Sequence, residues 1–196
     1  MNLIESTTYH NLARAYSSEC QAMVRYKFIE YGARYNKLNV LAETIDRIVY
    51  NEFNHARILY TKIQDASDEQ IDNIEIEQGV PFREKWDLKE NLRLAALDEE
   101  KEVTVYKSFA KTAQKEGFNE IAELFTQLAR IEDKHRKTFS ELYEQMNADS
   151  MYKKDKPVKW KCTACGYESF DGAAFDKCPV CQAEQGQVAL VLKNPV

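Results

Sequence analysis

Four stretches within the first 147 residues show the hydrophobic periodicity of amphipathic helices. In each stretch, apolar side chains recur at intervals of three and four residues, which places them on one face of an α-helix. The predicted inward faces include Leu12, Tyr16, Met23 and Tyr26 in the first stretch and Leu41, Ile45, Ile48 and Leu59 in the second. The predicted helices have approximate bounds Thr7–Tyr35, Leu38–Gln64, Leu88–Lys115 and Asn119–Met146. At about 28 residues each, they would be roughly 40 Å long. The pattern predicts an all-α four-helix bundle.

Residues 66–86 break this periodicity between the second and third helices. The stretch is mostly polar and contains Gly79-Val80-Pro81. It is long for a connection between neighbouring bundle helices, but about 20 extended residues can run the length of a bundle. We therefore predict a long crossover, which returns the chain to the other end of the bundle before the third helix begins.

Two of the predicted inward faces carry a Glu and a His three residues apart, a spacing that lets both side chains reach one metal ion. A further Glu precedes each pair by 33 residues (52 − 19 and 132 − 99), so the whole pattern recurs with a shift of 80. The six residues are Glu19, Glu52 and His55 in the first half, and Glu99, Glu132 and His135 in the second.

The equal spacing indicates that the two Glu residues of each half face each other across a helical hairpin. Two residues at one level of an antiparallel pair lie equally far from the turn, and the midpoints fall at Asn36 and beside Gly117. Both residue types commonly end helices. Two such hairpins packed together place four Glu and two His around one point, which is the ligand set of a dinuclear carboxylate site.

The two halves differ at one position on this face. Ala22 follows Glu19 by three residues, whereas Glu102 follows Glu99 by three. Glu102 is therefore a seventh candidate ligand, which could join or leave a metal ion as its oxidation state changes. The alternative is that Glu102 points to solvent or pairs with a surface lysine.

Tyr26 and Tyr106 each lie seven residues after a candidate ligand, two turns along the same face. They are either hydrogen-bond partners of the ligand carboxylates or plain core aromatics, and the sequence leaves both interpretations open. A single Glu or His on an apolar face is most often structural. Burying four unpaired carboxylates without cations would be prohibitive, however, and we therefore predict a dinuclear metal site.

Composition fits one medium domain and one small one. The chain has 196 residues, 30% of them charged, and a net charge of −5, which argues against nucleic-acid binding. We recognise neither a signal peptide nor an apolar stretch long enough for a membrane span. Four of the five cysteines form two Cys-x-x-Cys pairs, which in this context indicate metal binding rather than disulfides. We expect a cytoplasmic location without membrane association.

The character of the sequence changes after Asn147. We predict a bundle at 1–147, a polar linker at 148–157 and a loop-rich module at 158–196. The module is framed by the segments Cys162-Thr163-Ala164-Cys165-Gly166 and Cys178-Pro179-Val180-Cys181. Four thiolates in a tetrahedron suit iron or zinc, and a module of about 40 residues needs the metal for stability. Short strands are expected at Trp160–Lys161 and Val188–Leu192.

Together these motifs resemble the rubrerythrin family, in which a ferritin-like di-iron bundle precedes a rubredoxin-like domain. The resemblance covers essentially the whole chain and includes Glu102 and the intact Cys-x-x-Cys-Gly-Tyr and Cys-Pro-x-Cys segments. Two departures stand out. Gln182 follows the last cysteine where rubredoxin segments usually carry Gly, so that turn is expected to be strained. The interval from Glu102 to Tyr106 is one residue shorter than is common in the family.

The resemblance implies a peroxidase that reduces hydrogen peroxide to water at two non-haem irons, as a defence against oxidative stress. Glu52 and Glu132 would bridge the two irons. One further iron would return electrons to the two bundle irons. It would be bound by the thiolates of Cys162, Cys165, Cys178 and Cys181.

The family also implies an NAD(P)H-linked route through a separate reductase or rubredoxin. It implies a homodimer as well, in which the rubredoxin-like domain of one subunit approaches the di-iron site of the other. Two alternatives stay open: an iron-storing or iron-oxidising ferritin-like protein, and a structural zinc ribbon in place of the cysteine-bound iron. The bundle site could also hold iron with zinc, or two manganese ions.

Overall fold

A computed structural model describes residues 2–83 and 85–195. It contains four long helices: α1 (Thr7–Tyr35), α2 (Asn39–Gln64), α3 (Leu88–Lys115) and α4 (Asn119–Asn147). These bounds agree with the predicted helices to within one residue, and the predicted four-helix bundle is confirmed. Side chains cap the N-termini of α1 and α3. The Ser6 hydroxyl oxygen accepts a hydrogen bond from the Tyr9 amide at 3.1 Å, and the Asp87 carboxylate accepts one from the Glu90 amide at 3.0 Å.

Equivalent left-handed turns close the two helical hairpins. Lys37 after α1 has φ of 60° and Gly117 after α3 has φ of 88°. The next amide in each turn, that of Leu38 or Phe118, donates to the carbonyl five residues earlier at 3.0 and 2.8 Å. This hydrogen bond satisfies a carbonyl that the helix leaves open at its end. The chain therefore reverses sharply at both points, so α1 pairs with α2 and α3 with α4.

The apolar core of the bundle is divided into two clusters. One contains Ile29, Ile45 and Leu92 among its buried members, and the other contains Leu12, Leu59 and Phe125. All the residues predicted on the inward face of α2 are buried, including two polar ones in the middle of the helix. These two polar residues, Glu52 and His55, lie between the parts of α2 that join the two apolar clusters.

The segment between α2 and α3 forms the predicted crossover. It contains no helix or strand over the described residues 66–83 and 85–87. Arg83 of the crossover and Arg25 of α1 both contact the buried carboxylate of Asp98 on α3. The crossover is thereby fastened to the bundle on the side of α1 and α3. No helix in the described part of the chain is long and apolar enough to cross a membrane.

The C-terminal module is built on a two-stranded antiparallel sheet, with β1 at Lys153–Lys161 and β2 at Glu168–Ala173. Its small core is centred on Trp160, which is fully buried against Ala174 and Val188. The strand β1 begins inside the predicted linker 148–157. The domain boundaries themselves stay a prediction.

One expectation about the module was wrong. The segment Val188–Leu192 is not a strand, because it makes only an isolated bridge between Val188 and Cys162. The second strand is β2 instead, which the sequence did not predict. Its residues are exposed or half-buried throughout, so the strand lacks a fully buried face that would produce a strong alternating pattern.

The module is packed onto its own bundle. The carboxylate of Glu141 on α4 accepts hydrogen bonds from the backbone amides of Lys193 and Asn194 at 2.7 and 3.0 Å. Gly186 lies against the α1–α2 turn, where a Cβ would be 1.8 Å from the Lys37 carbonyl oxygen. Only glycine fits at that contact, which fixes the module at the turn end of the first hairpin.

Candidate metal centres

Helices α2 and α4 bring their Glu-x-x-His pairs face to face at the centre of the bundle. Nδ1 of His55 lies 3.2 Å from Oε2 of Glu52 and 3.1 Å from Oε1 of Glu132. Nδ1 of His135 lies 3.0 Å from Oε1 of Glu52 and 2.8 Å from Oε2 of Glu132. Each of these two carboxylates therefore presents one oxygen to each histidine.

Helices α1 and α3 supply one further carboxylate to each histidine. Oε2 of Glu19 lies 3.5 Å from Nδ1 of His55, and Oε1 of Glu99 lies 4.0 Å from Nδ1 of His135. Two groups of four donors result, and within each group the donor atoms lie within 4.8 Å of one another. Glu52 and Glu132 belong to both groups. This is the arrangement of two metal positions joined by two shared carboxylates.

The donor atoms are buried without enough protein partners to satisfy them. Many of the carboxylate oxygens in this layer accept no hydrogen bond within the described ranges, including both oxygens of Glu99 and of Glu132, Oε2 of Glu19 and Oε1 of Glu52. Buried carboxylates are costly unless they are paired with cations or coordinate metals. Oxygen donors with one imidazole for each position suit iron, and the donor set therefore fits two such ions.

The pKa values of the protein groups reflect the crowding of charges. Burial raises the pKa of Glu19 well above its ordinary value, and the charge of Glu132 raises it further. Burial and the charge of Glu52 do the same for the pKa of Glu99. Burial lowers the pKa of His135, but its contacts with Glu52 and Glu132 outweigh burial and raise that pKa to about 9. Protons thus partly replace the missing positive charge when no metal is bound.

Glu102 lies beside this layer but in neither group of four donors. Its side chain is 9% exposed, and the Ser18 hydroxyl of α1 donates a hydrogen bond to Oε1. Burial raises its pKa to about 8, with a further contribution from Glu132. Glu102 therefore does not point to solvent, and its role as a seventh, redox-dependent ligand stays a prediction.

The two tyrosines occupy different environments. The Tyr106 hydroxyl of α3 donates a hydrogen bond to Oε1 of Glu19 on α1, so it holds that carboxylate from the opposite hairpin. The Tyr26 hydroxyl has no hydrogen-bond partner among the residues that the structure describes, and its ring packs 4.8 Å from that of Phe139. Tyr106 thus has the geometry of a hydrogen-bond partner of a ligand. Burial, followed by the charge of Glu99, raises the pKa of the Tyr26 hydroxyl well above its ordinary value, so this hydroxyl also faces a candidate ligand and the role of Tyr26 stays a prediction.

Two polar side chains at the site were not singled out by the sequence pattern. Ser18 contacts Glu102, as described above, and the side-chain amide nitrogen of Asn51 lies 3.2 Å from Nε2 of His135. If Nδ1 of His135 binds a metal ion, Nε2 carries the proton, and the Asn51 amide must present its oxygen instead. The only available signal was that each residue directly precedes a candidate ligand in a helix.

The four cysteines of the module converge on one point. Sγ of Cys162 lies 3.7 Å from Sγ of Cys181, and Sγ of Cys165 lies 3.5 Å from Sγ of Cys178. A tetrahedral metal with bonds of about 2.3 Å to sulfur requires sulfur–sulfur distances of about 3.8 Å. The four sulfurs therefore fit one metal ion, with Cys162 and Cys178 buried and Cys165 and Cys181 exposed.

Equivalent backbone turns support the two cysteine pairs. The amide of Gly166 donates to the Cys162 carbonyl, and that of Gln182 to the Cys178 carbonyl, both at 2.9 Å. Gly166 has φ of 81° and Gln182 has φ of 63°. The left-handed conformation is natural for glycine but strained for glutamine, as was expected at this position.

Comparisons with known proteins agree with this geometry. A sequence model of the Rubrerythrin family matches residues 10–89 and 90–164, and a model described as the rubredoxin-like domain of rubrerythrin matches 160–187. The chain is 35% identical over 179 residues to a rubrerythrin of Clostridium perfringens (strain 13 / Type A), covering 89% of each protein. It is 33% identical over 193 residues to rubrerythrin-1 of Clostridium acetobutylicum, covering 95% of each.

Solved structures share the fold. A structure of nigerythrin in a mixed-valence state superposes with a TM-score of 0.62 at 22% identity, covering 97% of this chain and 94% of the other. A bacterioferritin of Desulfovibrio desulfuricans superposes with a TM-score of 0.64 at 19% identity, over 73% of this chain and 81% of the other. At these identities the likeness concerns the fold alone.

Proposed function

This chain belongs to the rubrerythrin family, and from that premise we propose that it reduces hydrogen peroxide to water at a di-iron site in its bundle. The family is generally one of di-iron peroxidases that carry a rubredoxin-like domain. The observation that most directly supports the proposal is the position of Glu52 and Glu132. Each presents one carboxylate oxygen to His55 and the other to His135, as two bridging ligands do.

The reaction needs two electrons and two protons: H2O2 + 2 e⁻ + 2 H⁺ → 2 H2O. Two ferrous ions bound here would supply both electrons, one from each ion. Glu52 and Glu132 would hold the two metal positions close enough for one peroxide to contact both. His55 with Glu19, and His135 with Glu99, would complete one position each.

Glu102 would handle protons beside the site. Its Oε1 is engaged by Ser18, whereas its buried Oε2 has no partner in the part of the chain that the structure describes. Because burial raises its pKa to about 8, Oε2 holds a proton near neutral pH in the metal-free protein. At the edge of the site, three residues after Glu99 on α3, Glu102 would either carry protons or bind a metal ion.

Electrons would return through an iron in the four-cysteine site. In one chain this site is far from the bundle centre, because the module packs at the α1–α2 turn. Glu52 lies 13 positions beyond Asn39, the start of α2, which is roughly 20 Å along the helix. That separation supports the expected homodimer, in which the module of one subunit would approach the di-iron site of the other.

The donor to this site would be a reductase or rubredoxin with an NAD(P)H-linked supply of electrons. The exposed sulfurs of Cys165 and Cys181 mark the side on which it would approach. A cytoplasmic location is proposed because four free thiolates persist in a reducing compartment.

The test is rapid mixing of the anaerobic, fully ferrous protein with hydrogen peroxide. We expect one peroxide to be consumed for every two bundle irons oxidised, and the Glu52→Gln variant to lose this reaction. A matched variant, Glu100→Gln, changes an exposed carboxylate of α3 and should retain it. The proposal would be overturned if peroxide oxidised the unaltered ferrous protein no faster than the ferrous Glu52→Gln variant.

The same sample separates the two alternatives. An iron-storing protein would take up many more than three irons per chain and deposit them as mineral. A zinc ribbon would leave the module colourless, whereas ferric iron bound by four thiolates gives visible charge-transfer absorption. Iron analysis together with the visible spectrum therefore decides between storage, a structural zinc and an electron relay.

A further inference from the structure

A cavity of about 580 Å³ lies between α1, α3 and the crossover, and it ends at the edge of the candidate di-iron site. Ser18, Glu102 and Tyr106 line its inner end. The Ser18 hydroxyl donates a hydrogen bond to Glu102, and the Tyr106 hydroxyl donates one to Glu19. The cavity therefore reaches side chains that lie beside the metal layer, although none of the six candidate metal ligands lines it.

The cavity is much larger than hydrogen peroxide requires. A water molecule occupies about 30 Å³ in the liquid, and hydrogen peroxide has only one further oxygen atom. A volume of about 580 Å³ is instead within the range of sites that hold small organic ligands, about 300–1,000 Å³. The size of the cavity therefore calls for a bulkier substrate than peroxide itself.

Part of the cavity wall is apolar. Ala15 on α1, Val105 and Phe109 on α3, and Val80 and Pro81 of the crossover line this part. Apolar walls favour a hydrocarbon group over water, by roughly fourfold for each buried CH2. The hydroxyls of Ser18 and Tyr106 and the carboxyl of Glu102 could engage the peroxide group.

The charged residues that line the cavity do not select an ionic substrate. They are Arg14, Arg25 and Lys101 together with Glu77 and Asp98. Arg25 is already paired with Asp98 at 2.6 Å, and Lys101 lies 3.6 Å from the same carboxylate. The mixture of signs favours a neutral molecule over an anion or a cation.

We propose that this cavity binds the organic group of alkyl or aralkyl hydroperoxides and directs their O–O bond towards the metal positions beside Glu102. The inference rests on the proposed peroxidase function and extends it to a second substrate class. The balanced reaction is ROOH + 2 e⁻ + 2 H⁺ → ROH + H2O. The O–O bond breaks, one oxygen stays on the organic group as an alcohol and the other leaves as water. The electrons come from the same two irons that reduce hydrogen peroxide.

The experiment compares cumene hydroperoxide with hydrogen peroxide as substrates of the iron-loaded protein. We expect kcat/KM for cumene hydroperoxide to be within tenfold of that for hydrogen peroxide. Val105→Trp fills the apolar part of the cavity from its partly exposed side, and we expect the ratio of the two kcat/KM values to fall about tenfold. Thr104→Trp is the matched control, because Thr104 is an exposed neighbour of Val105 on α3 that does not line this cavity.

Binding of the product gives a readout that does not depend on turnover. Cumyl alcohol should bind the iron-loaded resting protein in a calorimetric titration, and Val105→Trp should lose this binding while Thr104→Trp retains it. A ratio unchanged in Val105→Trp would overturn the inference. So would a kcat/KM for cumene hydroperoxide more than a hundredfold below that for hydrogen peroxide. A protein that reduces neither peroxide would instead show that the underlying peroxidase function is wrong.

Discussion

Removing metal from the bundle should make its stability increase as the pH falls, which is the reverse of ordinary acid denaturation. In the metal-free chain, burial raises the pKa of Glu102 from 4.5 to about 8. The folded state therefore holds a proton that the unfolded chain has lost at every pH between these two values. The free energy of unfolding gains from this group as the pH falls through 8, and the gain is complete near 4.5.

The other titrating groups of the site act in the same direction within this window. The pKa of His135 is raised from 6.5 to about 9, so its contribution is fully present below pH 6.5 and is lost as the pH rises through 9. Glu19 and Glu99 also have raised pKa values. Glu52 acts in the opposite direction. Burial raises its pKa, but His135 and His55 outweigh burial and lower that pKa below its ordinary value. The stability that Glu52 contributes is therefore lost only as the pH falls below 4.5.

The size of the effect can be bounded from Glu102 alone. A difference of about 3.5 pKa units, acting between pH 8 and pH 5, stabilises the folded state by on the order of 3 kcal/mol. For a chain of this length, that corresponds to a rise in Tm of about 10 °C. Thermal unfolding of the metal-free protein by circular dichroism at pH 5, 6, 7 and 8 measures it.

Two variants and the loaded protein serve as controls. Glu102→Gln should be more stable than the parent at pH 8 and should lose its share of the pH dependence. Glu100→Gln, which changes an exposed carboxylate on the same helix, should leave the pH dependence unchanged. Iron loading should abolish the rise in Tm towards low pH, because protons then compete with the metal for the same carboxylate oxygens. A metal-free protein whose Tm is flat or falls from pH 8 to pH 5 would refute the buried cluster of carboxylates.

Three further predictions concern single sites. Replacing Cys162 and Cys178 by Ser should abolish the visible absorption and reductase-driven turnover but keep the helical circular dichroism, and full turnover would refute the electron relay. Gln182→Gly should stabilise the module by about 1 kcal/mol by relieving its left-handed backbone, and an unchanged denaturation midpoint would show that no strain exists there. Glu102→Ala should still bind two irons but slow their oxidation by peroxide in stopped-flow measurements. A normal rate with a normal diferric spectrum would contradict a redox-dependent ligand.

The helices and the ligand layer were predictable because they depend on local spacing. The inward face of α2 alternates with the period of a helix, and the structure buries every predicted residue on it. On α1 the predicted face includes Tyr16 and Met23, which are only half-buried. The intervals of 33 and 80 residues predicted which side chains meet, because equal distances from a helical turn place residues at the same level.

Contacts that depend on the rotation of a helix were not predictable. Ser18 and Asn51 meet their partners, Glu102 and His135, across the bundle at separations of 84 residues. Whether such a neighbour of a ligand turns inward is set by the packing of all four helices. The strand β2 was missed for a related reason, since its residues pair with β1 through the backbone while their side chains remain largely exposed.

The repeated turn at Lys37 and Gly117 has a consequence for engineering. Because both positions take positive φ after helices of nearly equal length, the two hairpins offer matched backbones for independent redesign. Ala22→Glu would give the first hairpin the carboxylate that the second already has, and Glu102→Ala would do the reverse. Each metal position can then be compared with its twin inside one molecule. A difference in spectrum or potential between them is thereby assigned to one side chain, without a second protein as reference.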